Sequence, residues 1–508
     1  MNRPNATTGN TPRRAGMAMP TTAAVPTTSI PQPDLARIPH GCRTAVVTDA
    51  DETLALMQTT APARMLERYA DALAIGLVLL IFLDLPWYIN GALLPALQSK
   101  VFYFAMFAAC LPIIAARSAD AVRWLGSSYG IWMLGLIVMN LAHMLGTLDP
   151  EAPKEIFSRI EVLGLMLVIT FALSQARQGL LHAVLPWIGL LLAGLVIIDF
   201  LAPDRIIPQP IPDEGDLLGQ LGQVEGRASG TMGNPNKAGE AMALLLLLSM
   251  PLARRRIGWL LLGAVGAATL MTASRSSIAA VALVVAGGFV LGTVPRILVV
   301  IMAAIAALLA MNPQLIVDYL LGRADLGFGN IENFVERLGT MLSGEFSDPS
   351  SNERILVLEE GLRLFIENPI IGGGAAATSL WDLPVSVHNQ AVLMLAEYGI
   401  IGGAFWVAML ALPFARLLRG QGGFGQAALA SLLMLLFSSA THNMLDFNYW
   451  LAAIALFSIG WPPTQQRLDA LAENSEVGGL ARSEGSESLV ATPPGEMLEN
   501  DFERPPSS

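Results

Sequence analysis

Apolar and polar residues follow one another along this chain in long blocks. Aliphatic runs fall at 72–90, 100–116, 128–146, 157–174, 180–201, 237–253, 256–273, 277–294, 296–312, 400–417, 425–443 and 447–462. A helix needs roughly 17–25 such residues to cross a bilayer. The pattern therefore predicts an all-α, polytopic membrane protein with about twelve transmembrane helices, the runs between 237 and 312 being the hardest to delimit because their connections are short. One interruption is out of proportion to the rest. Residues 312–399 form a long polar segment between two strongly apolar blocks and end in SVHNQAVLMLAEYG.

Within that segment, 313–349 reads as irregular with an amphipathic stretch near NIENFVERLGTMLSG. SSNERILVLEEGLRLFIENPIIGGG then places apolar residues at helical spacing on one face and stops at Asn368-Pro369 and a triple glycine. This predicts a helix over 351–367 lying near the membrane surface. Arg354, Glu359, Glu360 and Arg363 fall on its solvated face, with a role in chemistry left open for Arg354 alone.

Basic residues in short loops prefer the cytoplasm. With both termini inside, the inner loops hold Arg117 and Arg123, Arg177, the Arg254–Arg256 triplet, Arg296, and Arg416 and Arg419. The outer connections are then QSK, GTLDPEAPKE, the acid- and proline-rich stretch 202–236, a tight turn at SRS, the long segment, and THNMLDFN. The predicted layout is a cytoplasmic disordered tail at 1–68, a transmembrane domain at 69–462 with periplasmic loops at about 202–236 and 313–390, and a disordered acidic cytoplasmic tail at 463–508.

Composition supports this layout. The 508 residues are 53% hydrophobic and 14% charged with a mean hydropathy of +0.54, too little charge for a soluble surface. The formal charge of −11 is spread over the C-terminal tail and loops, which argues against a nucleic-acid partner. Cys42 and Cys110 support neither a disulfide framework nor a zinc site. No acidic cluster of the kind that would hold a divalent cation is evident, so no metal or cofactor is expected.

Three polar stretches carry candidate chemistry. In EGRASGTMGNPNKAGE, Gly226, Gly230, Gly233 and Pro235 break regular structure before an apolar helix, which lets backbone N–H groups and the Arg227 side chain face one space suited to an anion. Asn234 or Asn236 caps the following helix, whose positive end adds to that preference. The alternative is an ordinary loop with Arg227 among headgroups. In MTASRSSIAAV, Arg275 sits at a tight outer turn among Ser274, Ser276 and Ser277, where the charge bias predicts few arginines. Snorkelling to headgroups is the alternative there. Two guanidinium forks sharing a cavity suit a pyrophosphate. Finally His388, beside Asn389 at the mouth of a span, has the residue type of a general base, although a histidine at a helix start is often only structural. Glu397, in the EYG turn, reads as architectural. A last outer turn, SATHNMLDFNYW, repeats the pair as His442-Asn443 and adds Asp446. Hydrogen bonding to a helix end is its favoured role, and lining the same cavity is the alternative.

The ordered set GRASGTMGNPN, TASRSS, Arg354 ahead of NPIIGGG, and HNQAVLMLAEYGIIGG resembles the O-antigen ligase and polymerase superfamily of bacterial envelope glycan enzymes. The resemblance spans about residues 70–462 and is densest from 225 to 405. It implies a fold similar to C-type glycosyltransferase-like membrane proteins. It also implies a metal- and ATP-independent transfer, at the periplasmic face of the inner membrane, of a glycan from an undecaprenyl-diphosphate carrier to lipid A-core, another glycan or a protein. By resemblance Arg227 and Arg275 hold the donor diphosphate, His388 deprotonates the acceptor, and Asn389, Arg354 and Asn234 support them. Ligase, polymerase and protein O-oligosaccharyltransferase share this site. A polysaccharide transporter or flippase, which would place ionisable groups near the bilayer midplane in two related halves, and an inactive structural subunit are the rivals from other classes.

Overall fold

The computed structural model describes residues 61–94, 98–147, 149–202, 206–208, 227–249, 256–290, 349–383, 387–418 and 434–459. Its elements are helical. They are α1 (Ala61–Phe82), α2 (Leu85–Tyr88, continued by a π-helical turn Ile89–Leu93), α3 (Ser99–Ala116), α4 (Ser118–Leu125), α5 (Ser128–Gly146), α6 (Ala152–Gln175), α7 (Gln178–Leu201), α8 (Pro235–Leu248), α9 (Arg256–Met271), α10 (Arg275–Val290), α11 (Pro349–Glu367), α12 (Gln390–Leu418) and α13 (Asn448–Ile459), with a further helical segment at 434–441.

Among the described residues, five helices are long and apolar enough to cross a membrane, namely α3, α5, α6, α7 and α12, or six if the bent pair α1–α2 is one span. That pair bends by 62° at Leu83-Asp84, where Asp84 takes a left-handed φ of 46°. Three further expected runs are shorter apolar helices, α9, α10 and α13. The runs expected at 296–312 and over most of 425–443 lie outside the described residues, as do 1–60, the 313–348 stretch and the C-terminal tail. α1 reaches back to Ala61, into the stretch assigned to the N-terminal tail.

Apolar runs in the sequence conceal two kinds of helix. α8 has 14 residues, about 21 Å at 1.5 Å per residue, short of the ~30 Å hydrocarbon core. Its residues are buried nearly all round, and it packs against α7, α9 and α10. A helix that is hydrophobic on every side belongs in an interior. By contrast, α3 keeps Val101, Phe104, Phe107 and Leu111 exposed, as a lipid-facing helix does.

The helix ends sort into two groups. At one end Arg117 donates to Gln175 (2.9 Å), and Arg177 binds the Asp71 carboxylate through Nε (2.6 Å) and its backbone N–H (3.0 Å). The basic loops read as sharing one face thus meet. At the far ends of the same helices, Thr231 donates to the Leu83 carbonyl (2.7 Å) and Asp199 of α7 accepts from the 229–230 turn. The candidate polar stretches collect at this second end.

The helix expected at 351–367 is α11. Arg363 pairs with Glu360 and Glu367 on its exposed face, and the face carrying Gly361 and Val357 lies on α12 through Val392. α12 is broken at Gly399, whose φ of 63° and ψ of −150° lie outside the helical region. The break lets the triple-glycine loop dock on the helix. Gly373 N–H donates to the Ala396 carbonyl (2.7 Å), Gly374 N–H to Glu397 (3.1 Å) and Ile400 N–H to Pro369 (2.9 Å). A Cβ on Gly399 would stand 2.4 Å from the Ile370 backbone, so both conformation and space demand glycine there.

Candidate functional site

The turn that carries Arg227 is held from below. Asp199, buried near the end of α7, accepts from the backbone N–H groups of Ser229 (2.8 Å) and Gly230 (3.0 Å). Two of the amides expected to face an anionic ligand are thus met by the protein's own carboxylate. The N-terminus of α8 is likewise capped. Asn234 Oδ1 accepts from the N–H groups of Asn236 (2.9 Å) and Lys237 (3.4 Å), and Pro235 follows it at the first helical position. Asn234 therefore builds the turn.

Asn236 is the residue that joins the first two stretches. Its Oδ1 accepts from Arg227 Nη2 (2.9 Å) and from the Ser274 hydroxyl (2.6 Å), while Arg227 Nε donates to the Thr272 carbonyl (3.0 Å). The Ser277 hydroxyl donates to Ser274 Oγ (2.8 Å) and approaches the Asn236 carbonyl at 3.3 Å. Gly239 makes this approach of α8 to α10 feasible, because a Cβ there would lie 2.0 Å from Ser277 Oγ. Half-buried Arg275 begins α10 between Ser274 and Ser276, so both arginine-bearing turns share one hydrogen-bonded cluster.

The third stretch reaches this cluster through His442, for which lining the cavity is the alternative to helix-end bonding. His442 Nε2 lies 3.2 Å from Ser276 Oγ and 3.4 Å from Glu240 Oε1. Helix-end bonding was the favoured role for that turn, yet the side chain of His442 enters the site; the side chain of Asp446 lies outside the described residues. The 440–445 turn is also tied to the start of α12. Asn389 Nδ2 lies 3.4 Å from the Ala440 carbonyl, and Leu445 N–H donates to Gln390 Oε1 (3.0 Å). Asn389 also caps α12, accepting from Val392 N–H at 3.0 Å.

His388 stands just before that cap, half-buried and close enough to His442 and Arg354 for their charges to act on it and on each other. Burial first, then the Arg354 charge, pushes its pKa down to about 4. Burial, followed by the charges of His388 and Arg354, pushes His442 to about 3. Both imidazoles are therefore neutral at neutral pH, the form in which a histidine accepts a proton. Arg354 lies exposed on α11 and acts here through its field.

Residues 241–407 match the family described as O-antigen ligase. That segment is similar to the O-antigen ligase family. No curated protein matches the chain. Arg275, Arg354, His388 and Asn389 lie inside the matched segment, whereas Arg227, Asn236, Glu240 and His442 lie outside it. The fold unites them at one end of the helix bundle. Among the described residues no group of three or more His, Cys, Asp or Glu side chains is arranged to hold a metal ion.

Two members of the cluster had only faint signals in the sequence. Asn236 was weighed as a cap, and the NPN spacing alone does not say which asparagine faces outward. Glu240 stood inside an apolar run, where an ionisable residue is itself a pointer to function.

Proposed function

We propose that this protein transfers a glycan from an undecaprenyl-diphosphate carrier to an acceptor at the periplasmic face of the bacterial inner membrane, acting as a ligase of O-antigen or a related surface polysaccharide. One observation carries the reading. Ser276, next to Arg275 and within the O-antigen ligase match, reaches His442 on one side and, through Ser274 and Asn236, Arg227 on the other, while His388, also within the match, stands close enough to His442 for its charge to act there.

In this reading the bundle end opposite Arg117 and Arg177 faces the periplasm. Arg227 and Arg275 meet the charge of the donor diphosphate with planar, bidentate donors, so the charge on the leaving group is stabilised by side chains. Neutral His388 takes the proton of the acceptor hydroxyl as its oxygen attacks the anomeric carbon. The carbon–oxygen bond to the diphosphate breaks and its electron pair leaves on the phosphate. Lipid A-core is the expected acceptor. The membrane setting suits a donor with a long lipid tail.

Deletion of the gene followed by analysis of the glycan ladder tests this. Unattached, carrier-linked polymer supports the ligase; single-repeat product would make the protein a polymerase, and loss of a glycoprotein would make it a protein O-oligosaccharyltransferase. His388→Ala, present in the membrane at normal amount, should reproduce the deletion. Normal surface glycan in that strain would refute the role of His388.

A further inference from the structure

Glu240 is fully buried on the interior helix α8, in the first turns after the Asn236 hub. Neutral side chains surround its carboxyl. Trp450 Nε1 (3.1 Å) and the Tyr449 hydroxyl (3.3 Å), both on α13, donate to Oε2, and the buried Ser438 hydroxyl hydrogen-bonds the same group. Oε1 faces His442 Nε2 at 3.4 Å. Among the described residues no lysine or arginine pairs with this carboxyl.

A carboxyl taken out of water and given no cation is far more stable neutral than charged, so it keeps its proton. The protonated form also suits its two oxygens. A carboxylic acid has one carbonyl oxygen, which only accepts, and one hydroxyl, which donates. Oε2, with two donors from α13 on it, is the carbonyl oxygen. Oε1 is then the hydroxyl, and the acceptor in front of it is the ring nitrogen of His442.

That bond fixes the state of His442. Its Nε2 accepts, so the neutral ring carries its proton on Nδ1, and the Ser276 hydroxyl, 3.2 Å from Nε2, becomes a second donor to the same nitrogen. Hydrogen bonds to the neutral form of a group disfavour its charged form. His442 and His388 are close enough for the charge of one to act on the other, and two such rings do not take up protons independently. With His442 held neutral, the acceptor's proton goes to His388.

We propose that Glu240 is a neutral acid that donates to His442 Nε2 and thereby reserves proton uptake for His388, Glu240 and His442 being positioning residues. The catalytic consequence rests on the glycan-transfer reading above, whereas the proton on Glu240 rests on the buried geometry alone. In the step concerned the acceptor O–H bond breaks, its oxygen bonds to the anomeric carbon, the bond from that carbon to the diphosphate breaks with its electron pair, and the proton passes to His388. Glu240 keeps its own proton throughout.

The first test needs no substrate. Infrared spectra of the full chain in detergent at pH 7, wild type minus Glu240→Gln, should contain the C=O stretch of a protonated carboxyl. A carboxylate band in its place overturns the proposal. The second test follows transfer from a lipid extract of the deletion strain to its rough lipid A-core. Glu240→Leu cannot donate, and should lower kcat about tenfold with donor KM unchanged, the equivalent of one hydrogen bond. Glu240→Gln, whose amide N–H donates where the acid O–H did, should restore most of that rate. Adding Glu240→Leu to His442→Gln should cause no further loss. Wild-type kcat in Glu240→Leu, or equal losses in the leucine and glutamine variants, would overturn the proposal. So would a loss confined to KM and protein amount, which is what a packing role produces. Should Glu240→Leu fail to reach the membrane, the infrared band and Glu240→Gln carry the test, and a glutamine variant that has lost transfer overturns it. If His388→Ala is fully active, or the wild type forms no product from this donor, the glycan-transfer reading has failed, and the infrared band still decides the proton on Glu240.

Discussion

Among the described residues two glutamates are wholly buried, and they are solvated in opposite ways. Glu397, on the kinked α12, is saturated. Arg159 of α6 binds it through Nη1 (2.5 Å) and Nη2 (3.4 Å), and Thr378 donates both its hydroxyl (2.6 Å) and its N–H (3.3 Å). Arg159 also reaches Ser379 (2.9 Å), and the neighbouring Tyr398 donates to Asn140 of α5 (2.9 Å). Glu240 has neutral donors on one oxygen and an imidazole near the other. The contrast separates building from working. A buried carboxylate matched by a guanidinium fork has one state and fixes three elements, α6, the glycine loop and α12, in one arrangement. A buried carboxyl without a cation holds its proton and can donate a hydrogen bond to an imidazole.

The contrast can be broken most strongly at the clamp. Arg159→Ala strands the Glu397 charge, and breaking such a pair costs roughly 3–5 kcal/mol. The variant should be depleted from the membrane, as seen by blotting. Replacing both partners by leucine should recover much of the protein, since an apolar pair leaves no charge stranded. Glu240→Leu, under the same assay, should persist in the membrane but be impaired in transfer. Equal depletion of both single variants would erase the distinction.

Next in size is donor use. Arg227→Ala and Arg275→Ala each remove charge-assisted hydrogen bonds worth about 1.5–3 kcal/mol, so donor KM should rise by roughly 10- to 100-fold. Lysine should rescue poorly because it lacks the fork. Unchanged donor KM in both alanine variants would remove the diphosphate clamp.

A third test concerns pH. A free histidine protonates near 6.5, but the folded pKa of His388 is lowered to about 4. The neutral base is therefore retained as pH falls through 6, and transfer should decline only on approaching pH 4. Arg354→Ala, which removes the cation that contributes to the lowering, should move this limb upward. The smallest effect belongs to the caps. Asn389→Ala and Asn234→Ala each forfeit a side-chain cap worth about 1 kcal/mol, which thermal denaturation in detergent should register as a modest loss of stability.

Arg227, Arg275 and His388 stand out in the sequence as candidates because each breaks a local expectation, two arginines on the side predicted to be arginine-poor and a histidine at the mouth of a span. The architectural reading of Glu397 agrees with its clamp. For His442 the sequence favours helix-end bonding over lining the cavity, because a His-Asn pair beside a helix end describes a cap as well as it describes a site, and only the fold brings its ring to Ser276 and Glu240. Arg159 drew no notice at all. It lies in an ordinary loop-proximal turn of α6, and its partner is 238 residues away.

The sequence by itself determined that the chain is a helical membrane protein, where most helices run, and which family its central segment is similar to. Those features are local. In a bilayer each segment must be apolar on its own and satisfy its backbone within its own helix, so each leaves a mark that a short window can read. Only the tertiary structure decided that α8 is an interior helix and that Asp199 fills the glycine turn. It also decided that Asn236 ties the two arginine turns together, and that Glu240 stands behind His442. These are contacts between helices far apart in the chain, set by how the helices pack. No periodicity along the chain records them.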